Sequence, residues 1–255
     1  MAELFRCSDD DRLMLARIYD LVELCEKRHS FVCSSFLNER QRALISAEVL
    51  PGPDMRFVYW GGFEQAERKV LCVCNEYDLP ESCVLPIGCV TFRYRSGSRL
   101  THRDFLGSIM ALRIRREAVG DIVIGSDAAQ VFVLDSVMPV ILSDISKIGS
   151  IGVKVSSSEE FFLEKQQSFK EITGTVASMR LDCILGLALK ISRTKAVVLI
   201  KSNSAEVNYF PCADASAQMS EGDIFSVRGY GKFRIESVSG LSKRGRLHIV
   251  MLKYC

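Results

Sequence analysis

The chain has 255 residues, 48% of them hydrophobic, and a net charge of only +2, enough for two or three small domains with real cores. No apolar run approaches the ~20 residues a membrane helix needs, and the acidic start MAELFRCSDDDRL lacks a secretion signal's apolar core. Ten cysteines in such a chain point to reduced thiols and a cytoplasmic setting, without a membrane partner.

Residues 9 to 29 read as an amphipathic helix, with Met14, Ile18, Leu21 and Cys25 on one stripe. A second helix runs from Asn38 to Val49 and stops at Pro51-Gly52-Pro53. Arg56 to Trp60 and Val70 to Cys74 are short strand-like runs. Together these make a small N-terminal α/β unit, residues 1–80.

The next unit, 81–168, opens on a strand-like run from Val84 to Tyr94. Thr101 is placed to cap a helix reaching about Arg115. Strands follow at Asp121 to Ile124 and Gln130 to Leu134, then a helix from Val137 to Ile145 and a strand from Ile151 to Val155. The order β-α-β-β-α-β is that of ferredoxin-like and RRM-like domains. An RRM binds RNA through aromatics on its sheet. Here Phe92, Tyr94 and Phe132 are only loose candidates without the RRM consensus, and a plain packing sheet is the preferred reading. Ser156 to Phe169 reads as a linker or connecting helix.

The last part, 169–255, carries most of the chemistry. A strand from Phe169 to Ala177 leads into Leu181, Ile184, Leu185, Ala188 and Leu189 at helical spacing. Ile191 interrupts, and Ser192 is placed to cap a second helix from Arg193 to Ile200. Asn203 sits where a left-handed residue is wanted. Val207-Asn208-Tyr209 looks like a strand, and Gly222-Asp223 a turn into another. From Ser178 onward there are 12 Lys and Arg against 6 Asp and Glu, leaving 21 against 25 for the remainder. A basic end on a mildly acidic body suits a polyanionic partner. The candidate RNA-binding residues are Arg180, Lys190, Ser192, Arg193, Lys195, Lys201, Arg228, Lys232 and Arg234. A capped helix start offers free N–H groups and a positive dipole end to phosphate, and arginine adds forked contacts. An ordinary solvated face is the alternative.

Arg180-Leu181-Asp182, Ser192-Arg193, Ala196, Leu199-Ile200, Val207-Asn208 and Gly222-Asp223 together resemble the S-four RNA-binding domain, the module of ribosomal protein S-four. Asn203 stands where that family usually has Gly, and Tyr209 where Val-Asn-Gly is usual. The resemblance implies an RNA-facing helix pair. RFVYWGGFEQAERKVL at 56 to 71, LTHRDFLGSIMALRIRREAVGDI at 100 to 122, and GTVASMRLD through KRGRLHIVMLKY resemble the YlmH family across nearly the whole chain. Arg113 departs from the family's usual Gly. The resemblance implies a multi-domain α+β protein: an N-terminal domain, an RRM-like middle domain and a C-terminal S-four module. It also implies binding of rRNA or tRNA on the large ribosomal subunit, and for some members rescue of stalled subunits carrying peptidyl-tRNA.

Other chemistry is thin. His102-Arg103-Asp104 resembles a kinase tripeptide, but the other kinase motifs are missing, and Thr101 with Asp104 reads better as a helix cap. Cys72, Cys74, Cys83 and Cys89 form a possible zinc set without a CxxC knuckle. Gly229-Tyr230-Gly231 lies between strands and reads as a bend. Lys243, Arg244 and Arg246 sit on a hairpin tip that would extend the basic surface. No cofactor, small-molecule substrate or catalytic residue is expected. The rival is an RNA-modifying enzyme anchored by an S-four module.

Overall fold

Three aspartates open the first helix, α1 (Asp9–Arg28), where the positive end of the helix dipole favours them. Ser8 and Asp11 close a capping box at its start. Asp11 also reaches α2 (Glu39–Glu48), accepting Arg40 Nη1 at 2.6 Å and Nη2 at 2.8 Å. Those bonds hold the Asp11 carboxyl far below the ordinary carboxylate value, against the opposing effect of burial. Asn38 and Gln41 form the capping box of α2. Three antiparallel strands complete this part: β1 (Val32–Leu37), β2 (Met55–Trp60) and β3 (Lys69–Asn75), in the order β1-β3-β2. The β1 strand has no counterpart among the sequence-based expectations. Its register shifts between Cys33 and Phe36, and that irregularity breaks the alternation by which a strand is recognised.

The computed structural model describes residues 8–75, 85–158, 160–163, 168–241 and 245–254. The chain divides into two compact units, Arg6–Lys165 and a second running from Gln166 to Cys255. Architecture is mixed α+β throughout. No helix among the described residues is long and apolar enough to cross a membrane.

Within the first unit the expected β-α-β-β-α-β order is present. It runs β4 (Ile87–Arg93), α3 (His102–Ala111), β5 (Val119–Ile124), β6 (Ala128–Leu134), α4 (Met138–Asp144) and, after the short hairpin β7 (Lys147–Ile148) and β8 (Ile151–Gly152), β9 (Lys154–Ser158). The antiparallel sheet has the order β5-β6-β4-β9. Thr101 and Asp104 form the capping box of α3. That helix stops short of Arg115 because Arg113 turns left-handed, with φ 62°, at the position where glycine is the easier choice.

Both faces of this sheet are covered. On one side Val90, Phe92, Val131 and Val133 pack with Phe105, Ile109 and Ile141 from the helices. Phe92 meets Phe105 edge-on at 5.5 Å, and the Tyr94 hydroxyl donates to the carbonyls of Gly125 and Ala128. On the other side Phe132, Val123 and Cys89 pack with Phe36, Phe63 and Val70 of the N-terminal part and with Phe161. Gly62, at φ 98°, lies so close that an added Cβ would sit 2.1 Å from the Phe132 ring. Phe92, Tyr94 and Phe132 are therefore packing residues, as the packing reading expects, and not a stacking surface.

Within the stretch read as a linker or connecting helix, residues 160–163 pack against the sheet. Gln130, fully buried, donates to the Glu160 carbonyl and accepts from the N–H groups of Phe162 and Leu163. It clamps 160–163 against the sheet. A second buried hub joins the two sheets. Asp121 accepts the backbone N–H groups of Glu67 at 2.9 Å and Arg68 at 3.0 Å. Arg68 then donates to the carbonyls of Val119, Phe36 and Arg116. Burial, with Arg116 nearby, lowers the Arg68 pKa to about 10 and Asp121 opposes the fall, so the guanidinium stays charged at neutral pH.

In the second unit one sheet backs two helices, α5 (Leu181–Leu189) and α6 (Arg193–Lys201). Its strands are β10 (Phe169–Val176), β11 (Ala205–Val207), β12 (Phe210–Pro211), β13 (Ile224–Val227), β14 (Gly231–Leu241) and β15 (Leu247–Tyr254). Their order is β10-β15-β14-β13-β11-β12, every pair antiparallel. Leu181, Ile184, Leu185, Ala196 and Ile200 from the helices meet Phe225, Phe233, Ile235 and Met251 from the sheet. The expected strand through Tyr209 is corrected: it ends at Val207. Asn208 and Tyr209 take φ 48° and 72°, a two-residue hairpin turn with both central residues left-handed. The Asn208 side chain secures that turn, accepting from Ile224 N and donating to Asp223.

Replacing Asp121 by Ala removes the acceptor of two part-buried N–H groups and should cost roughly 1–2 kcal/mol. Chemical denaturation of the full chain checks this; an unchanged midpoint would show that the hub does not hold the two sheets.

Candidate nucleic-acid interface

Helix α5 starts under constraint. Arg180 occupies its N-cap position without a side-chain cap. The loop before β13 supplies the missing acceptors: Leu181 N donates to the Ala217 carbonyl at 2.9 Å and Asp182 N to that of Ala215 at 3.1 Å. The helix ends at Lys190, which turns left-handed with φ 54°, and Ile191 N returns to the Gly186 carbonyl. That sharp stop places Ser192 at the next helix start. Ser192 Oγ accepts from Lys195 N at 3.3 Å and caps α6.

Between the two helix starts lies Asp182, only 2% exposed. Its Oδ2 accepts Arg193 Nε at 2.8 Å, and both oxygens accept from Arg180, at 3.2 Å and 3.4 Å. Burial pushes the Asp182 carboxyl up, but hydrogen bonds from Arg193, Cys183 and Arg180 outweigh it and leave the group below its ordinary value. The same bond raises Arg193. Arg193 is bound through Nε, and 56% of its side chain remains exposed. Its guanidinium is thus anchored at one nitrogen while much of the side chain faces solvent. Arg193 and Lys195 are both exposed at the start of α6. Arg193 is also the counter-ion of a buried carboxylate.

The structure brings Arg228 and Lys232 together in a second place, near the end of α6. Lys201 is exposed in the last turn of α6, where its charge suits the helix dipole. Arg228 is exposed, and its N–H donates to the Ser204 carbonyl just past that helix. Asn203, at φ 52°, makes the intervening turn. A concavity of about 620 Å³ opens here, walled by Asn203, Ser204, Glu206, Arg228 and Lys232. Lys232 Nζ lies 5.0 Å from the Tyr209 ring and 4.8 Å from that of Tyr254. Arg234 is drawn to Glu236 at 2.5 Å. Nine residues at 1.5 Å rise separate the two groups by about 12 Å along α6. Of the hairpin-tip cations, Arg246 donates to the Thr175 carbonyl, while Lys243 and Arg244 lie outside the described residues.

Sequence reasoning missed the organising role of Asp182 and the aromatic partners of Lys232. An aspartate in a basic helix pair is only an ambiguous signal, since a lone acid at a helix start reads equally as a dipole partner. Nothing local marks Tyr254 as a neighbour of Lys232. Of the possible zinc set, Cys72, Cys74 and Cys89 are buried and Cys83 lies outside the described residues. Burial pushes the Cys89 thiol up to about 11. Among the described residues no three His, Cys, Asp or Glu side chains gather to hold a metal.

Residues 10–77 match the family model "YlmH, N-terminal", and residues 91–161 match "Putative RNA-binding domain in YlmH". The chain is 26% identical over 242 residues to the ribosome-associated protein quality control protein P2 of Bacillus subtilis (strain 168), covering 94% of each chain. Its fold is similar to that of the cell division protein ylmH from Streptococcus pneumoniae. That match has a TM-score of 0.51 and 23% identity, and spans 62% of this chain and 95% of the other.

Asp182→Asn removes the charge that holds two arginines. The variant should lose on the order of 1–3 kcal/mol at neutral pH. A carboxyl depressed on folding stabilises above its unfolded pKa and ceases to as pH falls through its folded one. The gap between variant and wild type should therefore close below the ordinary carboxylate range. Melting curves across acid pH test this; equal melting at neutral pH would remove Asp182 from its organising role.

Proposed function

This chain belongs to the YlmH family, and we propose that it is a non-enzymatic, cytoplasmic RNA-binding protein that works on the ribosome. In this reading the C-terminal unit is an S-four-type module. It grips structured rRNA or tRNA on the large subunit, in the setting of stalled-subunit quality control. One observation carries the reading: buried Asp182 holds Arg180 and Arg193 side by side at the capped start of α6. Phosphate oxygens meeting that corner would find free helix N–H groups, a positive dipole end and the guanidinium of Arg193. Lys190 and Lys195 add charge around it. The relative from Bacillus subtilis is described as ribosome-associated, and its match runs the length of both chains.

Such a grip is electrostatic and should weaken steeply with salt. The best test spares Arg193, whose loss would also unsettle Asp182. Lys190 and Lys195 are both exposed. Replacing both by Ala should alter stability within about ±0.5 kcal/mol. It should reduce the slope of log affinity against log salt by about 1.4 if each lysine contacts one phosphate. Titrations of the full chain with purified ribosomal RNA measure the slope, with a thermal melt beside them. A variant that binds with the wild-type slope would place the RNA contact elsewhere.

A further inference from the structure

If residues 91–161 contact RNA, they do not use the open face of an RRM, because both faces of this sheet are packed. The edge of the sheet is different. Arg93 closes β4 and Lys154 opens β9, and the two are directly opposite in the antiparallel register. Like charges so placed repel and destabilise the pair. Both are exposed, and Arg95 follows two residues on. Among the described residues no carboxylate pairs with Arg93, Arg95 or Lys154, whereas Arg40, Arg193 and Arg234 each hold one.

Shape points the same way. A concavity of about 500 Å³ is walled by Arg93, Tyr94, Arg95, Ser146, Val153 and Lys154, with no acidic side chain among them. The Arg93 guanidinium lies over the Phe162 ring, 5.6 Å from its centroid. Phe162 is in turn held by its N–H bond to buried Gln130. A guanidinium stacked on a ring has its plane fixed and keeps its edge N–H donors for phosphate. Composition agrees: residues 85–158 hold nine Lys and Arg against six Asp and Glu, although the first 177 residues together are net acidic.

We propose that this rim, Arg93, Arg95 and Lys154, binds the phosphodiester backbone of RNA as a second contact, separate from the C-terminal helix pair. The proposal rests on the RNA-binding reading above and adds a surface to it. Contacts of this kind fix position and carry no base readout. The cross-strand repulsion is then relieved when a phosphate enters between the two cations.

Lys154→Glu separates binding from stability. It gives Arg93 a cross-strand partner of opposite sign, so the full chain should melt no lower than wild type. With one cation lost and a second neutralised, the salt slope for purified ribosomal RNA should become shallower by about 1.4. A second variant, R93Q with R95Q, should flatten the slope similarly without adding an acid. Unchanged slopes in both rim variants, with K190A and K195A still flattening theirs, would overturn the rim and leave the helix pair standing. Flattening by the rim variants alone would support the rim and remove the helix pair. If the wild-type chain binds no ribosomal RNA, both readings fall.

Discussion

A carboxylate with 2% of its surface exposed must be paired, and Asp182 is paired twice. That requirement orders the C-terminal unit. It fixes Arg180 at the start of α5 and Arg193 at the start of α6, and so sets how the two helix starts face each other. The Lys190 turn and the Ser192 cap then fit between them. A surface cation without such an anchor would spread over many rotamers and lose entropy on binding. Arg193 has already lost much of that freedom on folding. The same bond that makes the arginine a poor subject for a simple charge deletion would prepare it for the phosphate contact proposed above.

The first unit shows why a strand order does not transfer a chemistry. Its β5-β6-β4-β9 sheet has the antiparallel arrangement of ferredoxin-like domains. An RRM binds RNA with aromatics exposed on the sheet. Here the equivalent face is spent on the N-terminal part, through Phe36, Phe63 and Val70, and on the 160–163 segment held by Gln130. The closure gains apolar burial and a rigid body, and it gives up the stacking platform. The perimeter is different: among the described residues no carboxylate pairs with Arg93, Arg95 or Lys154 at the strand ends, the rim proposed above for a polyanion.

Local signals were legible in the sequence wherever a local cause decides the outcome. Thr101 and Ser192 each begin a helix, and Asn203 takes the left-handed turn. The strand order of the middle segment was readable because each element has its own period and stop. The β1 strand was not, since its bulge interrupts the alternation. Tyr209 was read as strand because a tyrosine at φ 72° goes against its own preference, and the Asn208 and Asp223 bonds that enforce the turn come from fifteen residues away. The candidate site divides the same way. Its residues could be named from charge and capping, but the Asp182–Arg193 pair bridges eleven positions and is visible only after folding. The Arg93–Lys154 opposition needs a register that no sequence period encodes.

The two proposed phosphate-binding surfaces on one chain would change what each must achieve alone. A single corner of two or three cations gives weak, salt-sensitive binding. When a first surface engages, the second meets the same RNA at an effective concentration set by the connecting chain, and the combined affinity can exceed either by orders of magnitude. That gain exists only if one RNA reaches both surfaces at once. Modest charge at each site is then an advantage, since neither holds short or unstructured RNA for long. A large, folded RNA presenting phosphates over a wide area is retained. Selectivity for a ribosomal partner can thus arise from the placement of weak contacts, without any one of them reading a base.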